Sequence, residues 1–252
     1  MVNTWLFEAL LDFLFPAECT FCQNFLGEGR FVSFCKSCWG KIKFIQGSLC
    51  TCCGRPFESE NVLETAPGFL CGSCRNDLYY FDKARAVGKY EGVLKEAIHQ
   101  FKYKPTRIGM GKPSLGRHLA ELMIHHGTPS LNVGSFDAIM PIPLHKSRQR
   151  HRGFNQSEVL ARFLGHYYRI PLDVDHLYRV KETRPQTGLS GHERAENVKG
   201  AFVIRKAEEL KGKKIVLIDD VFTTGATVNE ASRVLKEAKA GEVLVLTLAK
   251  VC

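Results

Sequence analysis

The chain has 252 residues, of which 44% are hydrophobic and 24% charged, and it carries a net charge of +9. This composition excludes an intrinsically disordered chain, which would be poorer in apolar residues. The length suits one large domain, or a typical domain with a small satellite, and is enough to bury a sizeable core.

Residues 1–16 carry Glu8 and Asp12 inside an apolar stretch and lack a basic leading region. They are not expected to be a secretory signal, and the run at 6–15 is too short and too acidic to span a bilayer. Nine of the ten cysteines follow between Cys19 and Cys74, and the tenth is Cys252. Most form C-x-x-C knuckles: Cys19/Cys22, Cys35/Cys38, Cys50/Cys53 and Cys71/Cys74, with Cys52 as an extra. A C-x-x-C turn aims two thiolates at one ion, and two such turns complete an all-sulfur tetrahedron. Four knuckles within 56 residues point to metal rather than to buried free thiols. Four copies without a thioredoxin-like context argue against redox work. The expected metal is structural zinc in two sites, since four thiolates leave no open position for water. The spacing leaves open whether the knuckles close sequentially or cross-brace, and whether Cys52 competes with Cys50 or Cys53. Paired cysteines without a leader suggest a cytoplasmic protein.

The composition changes near residue 80. Residues 1–80 hold six Lys/Arg against eight Asp/Glu, a charge of −2, while 81–252 hold 29 against 18, a charge of +11. Any polyanion-binding surface therefore belongs to the second part. There the pattern predicts a strand at 84–90 and a helix at 93–103 with Val93, Leu94, Ala97, Ile98 and Phe101 on one face. A second helix is predicted at 115–126, a short apolar strand at 138–143 and a helix at 155–168. A fully apolar strand at 215–218, a helix at 228–240 stopped by Gly241, and a strand at 242–251 complete the series. Alternating strands and helices favour an α/β fold with a central, mostly parallel sheet. Residues 180–200 show no clear pattern, and a polar stretch of that length in a compact domain reads as a candidate mobile flap.

The most informative segment runs from the strand at 215–218 through Asp219, Asp220, Val221, Phe222, Thr223, Thr224, Gly225, Ala226 and Thr227 into a helix. A small, hydroxyl-rich loop at a helix N-terminus presents backbone N–H groups to a phosphate. Two acids ending a buried strand suit ribose hydroxyls or a magnesium shell. Residues 144–152 pack Lys146, Arg148, Arg150, Arg152, His145 and His151 into nine positions after a strand end. Arginine suits bidentate phosphate contact. Lys102, Lys104 and Arg107 add charge beside Tyr103, and together with Lys146, Arg148 and Arg150 they form a candidate surface that can bind single strands by charge and stacking.

The segment 215–227 resembles the signature of type I phosphoribosyltransferases, which use 5-phosphoribosyl-1-pyrophosphate (PRPP). By that resemblance Asp219 and Asp220 bond the ribose 2′- and 3′-hydroxyls, and Thr223 to Thr227 cradle the 5′-phosphate. His145, Lys146, Arg148 and Arg152 stand where a pyrophosphate loop belongs, with Mg²⁺ accompanying PRPP. The stretch from Met140 to Ser157, the series Arg179, Thr183, Gln186, Leu189, Arg194, Asn197, Gly200 and Phe202, and the cysteine knuckles together resemble the ComF family. The resemblance implies a double zinc ribbon with a short N-terminal helix at 1–80, joined to a type I phosphoribosyltransferase-like parallel sheet flanked by helices at 81–252. It further implies a PRPP-binding protein of competence-type uptake and handling of single-stranded DNA, with other competence proteins as partners. The alternative is an active phosphoribosyltransferase of nucleotide metabolism or salvage. No residue set names its acceptor.

Overall fold

In this computed structural model the described residues are 18–26, 34–57, 68–76, 79–103, 115–128, 131–183 and 190–252. The expected N-terminal helix, Lys104, Arg107, Gln186 and Leu189 lie outside them.

Two short helical turns, α1 (Lys36–Trp39) and α2 (Gly72–Asn76), each carry a cysteine of a knuckle. Then follow β1 (Lys83–Lys89), α3 (Gly92–Tyr103) and α4 (Leu115–Leu122), the last running on into a wider turn at Met123–Gly127. After β2 (Ala138–Pro141) come α5 (Lys146–Arg152), α6 (Gln156–Tyr168), β3 (Leu177–Arg179), α7 (Gly191–Val198) and β4 (Phe202–Ile204). The chain ends with β5 (Ile215–Phe222), α8 (Ala226–Glu237) and β6 (Val243–Lys250). Among the described residues no helix is long and apolar enough to cross a membrane.

The main sheet has the order β1-β6-β5-β2, with every neighbour parallel. β5 and β6 are apolar along nearly their whole length because helices cover both faces of a parallel sheet. Side chains alternate between the faces. Val216, Ile218, Leu244, Leu246 and Leu248 join one core with α3, α4 and α6. Ile215, Leu217, Val243 and Val245 join the other with α8. β5 runs four residues past the expected strand end. Asp219 pairs with Thr247 and Phe222 with Lys250, so the two acids belong to the strand itself.

Three elements differ from expectation. Residues 180–200 are not patternless throughout, because α7 occupies their second half. Ser190 caps it, its hydroxyl accepting from the Glu193 N–H while the Glu193 carboxylate accepts from the Ser190 N–H. The basic run at 144–152 is mostly helix α5 rather than loop. β3 and β4 pair antiparallel in a separate two-stranded sheet, Tyr178 opposite Val203.

The cysteine-rich part is bound to the edge of the main sheet. The Ile45 N–H donates to Val87 O at 2.9 Å and the Lys89 N–H to Lys43 O at 2.9 Å, and Phe44 bridges Gly88 antiparallel. The Ala84 N–H donates to Cys52 O at 2.7 Å. Backbone groups that would leave β1 an open edge are thereby satisfied. Gly54 permits this approach: its φ is +67°, and a Cβ there would stand 2.5 Å from Ala84 O. Cys19 and Cys38 enter the core on the α3 face, whereas Cys50, Cys53, Cys71 and Cys74 enter the core on the α8 face. The cysteine region thus straddles the sheet edge and shares both cores.

Candidate phosphate cleft and four-cysteine centres

The knuckles close sequentially. The ligand atoms of Cys19, Cys22, Cys35 and Cys38 lie within 4.8 Å of one another, as do those of Cys50, Cys53, Cys71 and Cys74. Sulfur separations are 3.6 Å for Cys19–Cys38 and 3.7 Å for both Cys22–Cys35 and Cys53–Cys71. A zinc tetrahedron with Zn–S bonds of about 2.3 Å has edges of about 3.8 Å. Backbone N–H groups point at the sulfurs: Cys35 N to Cys19 Sγ at 3.4 Å, Cys71 N to Cys50 Sγ at 3.3 Å. Burial pushes the Cys19 thiol up, but three such N–H groups outweigh it and bring it down to about 6. Cys38, buried and surrounded by its three neighbours, is pushed up to about 12. The second group splits the same way, Cys50 falling to about 7 and Cys53 rising to about 11. Four thiols this close cannot all ionise without a cation between them. Both groups therefore fit structural zinc. Cys52 stands outside both, its thiol raised by burial.

The second feature is a cleft of about 1120 Å³ at the carboxyl end of β5. Asp219, Asp220, Val221, Phe222, Thr223, Gly225, Ala226 and Thr227 line it, and so do Arg148, Arg152, Lys102 and Tyr103. Thr224 is not among them; its carbonyl accepts from the Tyr79 hydroxyl at 3.4 Å and its hydroxyl from the Ala226 N–H at 3.3 Å. Gly225 opens α8 at φ +82°, and a Cβ there would stand 2.4 Å from Phe222 Cζ. The buried Phe222 ring therefore fixes the path by which the loop enters the helix. The N-terminus of α8, with its positive dipole end, opens on the cleft, its Ala226 N–H already given to Thr224 Oγ1.

Asp219 is held through one of its two carboxylate oxygens. Its Oδ1 accepts from Ser157 Oγ at 3.0 Å and from the Asp220 N–H at 2.9 Å. Burial raises its pKa, opposed by Lys102, the Ser157 hydroxyl, Arg179 and Arg152. Asn155 places Ser157 by capping α6, accepting from the Ser157 N–H at 3.0 Å while donating to Ile142 O at 3.1 Å. Asp220 forms an ion pair through Oδ2 with Lys102 Nζ.

Arginines close the other side. Arg148 donates to Thr183 O at 2.8 Å and Arg179 to Thr183 Oγ1 at 2.6 Å, so one buried threonine holds two guanidinium groups. Arg152 donates to Gln156 Oε1 and lies 4.7 Å from the Tyr103 ring centre. Burial lowers the pKa of Arg179 to about 10, helped by Arg148 and opposed by Asp219. Lys102 falls to about 8 through burial, against the pull of Asp219, with Arg152 and Arg148 adding to the fall. Cations crowded enough to lower one another's pKa favour an anionic ligand.

His145 caps α5, with its Nδ1 2.8 Å from Ser147 Oγ, and Ser147 reaches the Glu182 carboxylate. Lys146 and Arg150 are exposed and do not line the cleft. Arg179 and Ser157 escaped the list of candidate site residues. Both lie within the sequence pattern of the resemblance, but nothing local marks either as facing a ligand. Arg194 also reaches the cleft, from α7.

Comparison with known proteins bears on both features. Residues 10–75 match the double zinc ribbon domain, and residues 155–251 match the phosphoribosyl transferase domain. Competence protein F of Haemophilus influenzae is 30% identical over 226 residues, covering 86% of this chain and 96% of that protein. DNA utilization protein YhgH of Escherichia coli is 30% identical over 93% of this chain and 97% of that protein. Competence protein ComFC of Bacillus subtilis is 29% identical over 85% of this chain and 82% of that protein. Among solved structures, the allosteric regulatory enzyme of purine biosynthesis aligns at a TM-score of 0.40 and 18% identity over 59% of this chain and 29% of that one, too loose a likeness to bear on the site. With a double zinc ribbon set on the edge of a phosphoribosyltransferase-type sheet and these relatives matched along nearly their whole length, the chain belongs to the ComF family of competence and DNA utilization proteins.

Proposed function

We propose that the cleft binds PRPP and that the protein serves competence-type uptake and handling of single-stranded DNA. One observation carries the PRPP reading: a helix-terminal phosphate loop, an acid pair and three arginines converge on a single cleft. The positive end of α8 at Gly225 to Thr227 and the Thr223 hydroxyl take the 5′-phosphate. Asp219 and Asp220 accept from the ribose hydroxyls, and Ser157 keeps Asp219 turned toward them. Arg148, Arg152 and Arg179 face the pyrophosphate, with charges fixed in advance by Thr183 and Gln156. Mg²⁺ bound to PRPP would neutralise the pyrophosphate as a leaving group. The DNA reading rests on the competence and DNA utilization relatives and on the +11 of residues 81–252.

A second reading, turnover with a nitrogen acceptor, is favoured by the aromatic residues of the cleft. Tyr90, His99 and Tyr103 line the same cleft, and aromatic rings suit stacking on a planar base.

The test is thermal unfolding of the full chain with Mg-PRPP. A ligand at about 100 times its Kd adds about 2.7 kcal/mol of stability. The wild type should shift upward, and Asp219→Asn with Asp220→Asn should abolish the shift. An unchanged melting curve at millimolar Mg-PRPP overturns the reading. Pyrophosphate release in the presence of cell extract, dependent on both acids, would select the enzyme; binding without release would select the binding protein.

A further inference from the structure

Paired carboxylates beside a phosphate loop have two chemical uses: they chelate a divalent cation, or they accept hydrogen bonds from a vicinal diol. The position of Lys102 decides between them. Ile98, Phe101 and Lys102 share one side of α3, and the apolar residues of that side are locked into the core, which carries the lysine inward. Its side chain is 17% exposed and that of Asp220 is 6% exposed. The two meet as an ion pair at Oδ2, yet that oxygen accepts no hydrogen bond of good geometry. Asp219, the other acid, already takes Ser157 Oγ and the Asp220 N–H. Arg148, Arg152 and Arg179 stand around the pair.

We propose that Lys102 is the built-in counter-cation of the acid pair, reserving Asp219 and Asp220 for hydroxyl groups and keeping divalent metal off them. A divalent ion on these carboxylates would need at least two of their oxygens and several retained waters. It would have to take Oδ2 from an ammonium already in place and then sit among three further cations at low dielectric. A hydroxyl meets no such obstacle. It donates to the unsatisfied Oδ2 without displacing the lysine charge. Mg²⁺ then enters this cleft only on the pyrophosphate of the ligand. The inference deepens the PRPP reading and rests on it for the identity of the diol, but the exclusion of metal is a property of the ligand-free protein.

Mn²⁺ tests it without PRPP, because it takes the same oxygen ligands and its free-ion signal is read by electron paramagnetic resonance. The full, zinc-loaded chain is titrated as wild type, Lys102→Met, Lys102→Arg, and Lys102→Met combined with Asp219→Asn and Asp220→Asn. The wild type and Lys102→Arg should leave the free signal unchanged. Lys102→Met should bind Mn²⁺ at least about tenfold more tightly, and the added acid substitutions should remove that gain. A filler of the space alone would not be rescued by arginine in this readout. If Lys102→Met does not fold, Lys102→Gln takes its place, and the wild-type titration stands in any case. Wild-type Mn²⁺ binding that disappears in Asp219→Asn with Asp220→Asn overturns the proposal, and so does the lack of any gain in a folded Lys102 variant. Failure of Mg-PRPP to bind, with the Mn²⁺ pattern intact, would overturn the PRPP reading and leave the role of Lys102 standing.

Discussion

Phe222 and Gly225 show how closely one side chain and one missing side chain define the candidate phosphate loop. The ring is buried beneath Gly225, with the Lys250 ammonium 3.4 Å from its centre. Gly225→Ala would add a methyl into that ring at a backbone φ of +82°. Strain of this kind costs about 1–3 kcal/mol. Urea unfolding should show that loss, and the melting shift with Mg-PRPP should disappear; a variant as stable as the wild type with its shift intact would contradict the role assigned to the ring. The strand–loop–helix itself was legible from its residues, because an apolar run followed by threonines and a glycine marks where a strand gives way to a helix. Lys102 was not. Its charge placed it among candidate nucleic-acid contacts, yet its spacing from Ile98 and Phe101 puts it beside the apolar stripe of α3, and the helix carries it into the cleft. Composition speaks for what a lysine usually does, and here helical phase overrides it.

The four knuckles were readable as elements because metal geometry constrains their spacing more tightly than packing constrains a helix. The same rule explains what was missed. α5 has seven residues and no apolar period, so its basic run reads as loop. Among the residues of α7 whose burial is described only Val198 is buried, and its one clear signal, a serine three positions before Glu193, is a capping box with no apolar stripe to follow it. The join between ribbon and sheet was also invisible, since contacts between residues far apart leave no local pattern. It has a consequence for function. Tyr79 stacks on Phe81 with ring centres 4.6 Å apart, both rings meet Phe222 edge-on, and the Tyr79 hydroxyl holds Thr224 O. Arg85 donates to Ala84 O at 2.7 Å and to Thr51 O at 3.2 Å, tying β1 to the second four-cysteine group. Structural zinc contributes folding free energy directly. Elemental analysis should find close to two zinc ions per chain, one for each four-cysteine group. Stripping them should lower the melting temperature and also speed amide exchange at residues 222–227. Zinc loss that leaves exchange there unchanged would show that the ribbon does not brace the loop.

Across the whole molecule, charge and packing divide differently. The −2 of residues 1–80 becomes roughly −6 once two zinc ions sit in four-thiolate shells, each adding about −2. Nucleic acid is therefore expected on the sheet-bearing part of the molecule, although the ribbon shares both cores with it. The surface first suggested by sequence has to be redrawn. Lys102 is inside the cleft, Lys104 and Arg107 lie outside the described residues, and Arg148 is tied to Thr183. Lys146 and Arg150 remain, exposed on α5. Tyr103 is 53% exposed, with the Arg152 guanidinium against its ring, at the mouth of the same cleft. Charge beside an open aromatic ring suits a single strand, whose bases stack while its phosphates are neutralised. Each neutralised phosphate of a single strand contributes a slope of about −0.7 in log K against log salt. Replacing Lys146 and Arg150 by glutamine in the full chain should therefore weaken binding of a labelled oligonucleotide and flatten that slope by about 1.4. Tyr103→Ala should cost about 1–3 kcal/mol of affinity and leave the slope unchanged, since a stacked base releases no counterions. The Lys146 and Arg150 double variant should keep the melting shift with Mg-PRPP, since neither residue lines the cleft, whereas Tyr103→Ala should reduce that shift as well, because its ring lines the cleft against Arg152. Fluorescence anisotropy over a series of salt concentrations measures both effects. A slope unmoved by the double substitution would place the nucleic acid on another face of the molecule.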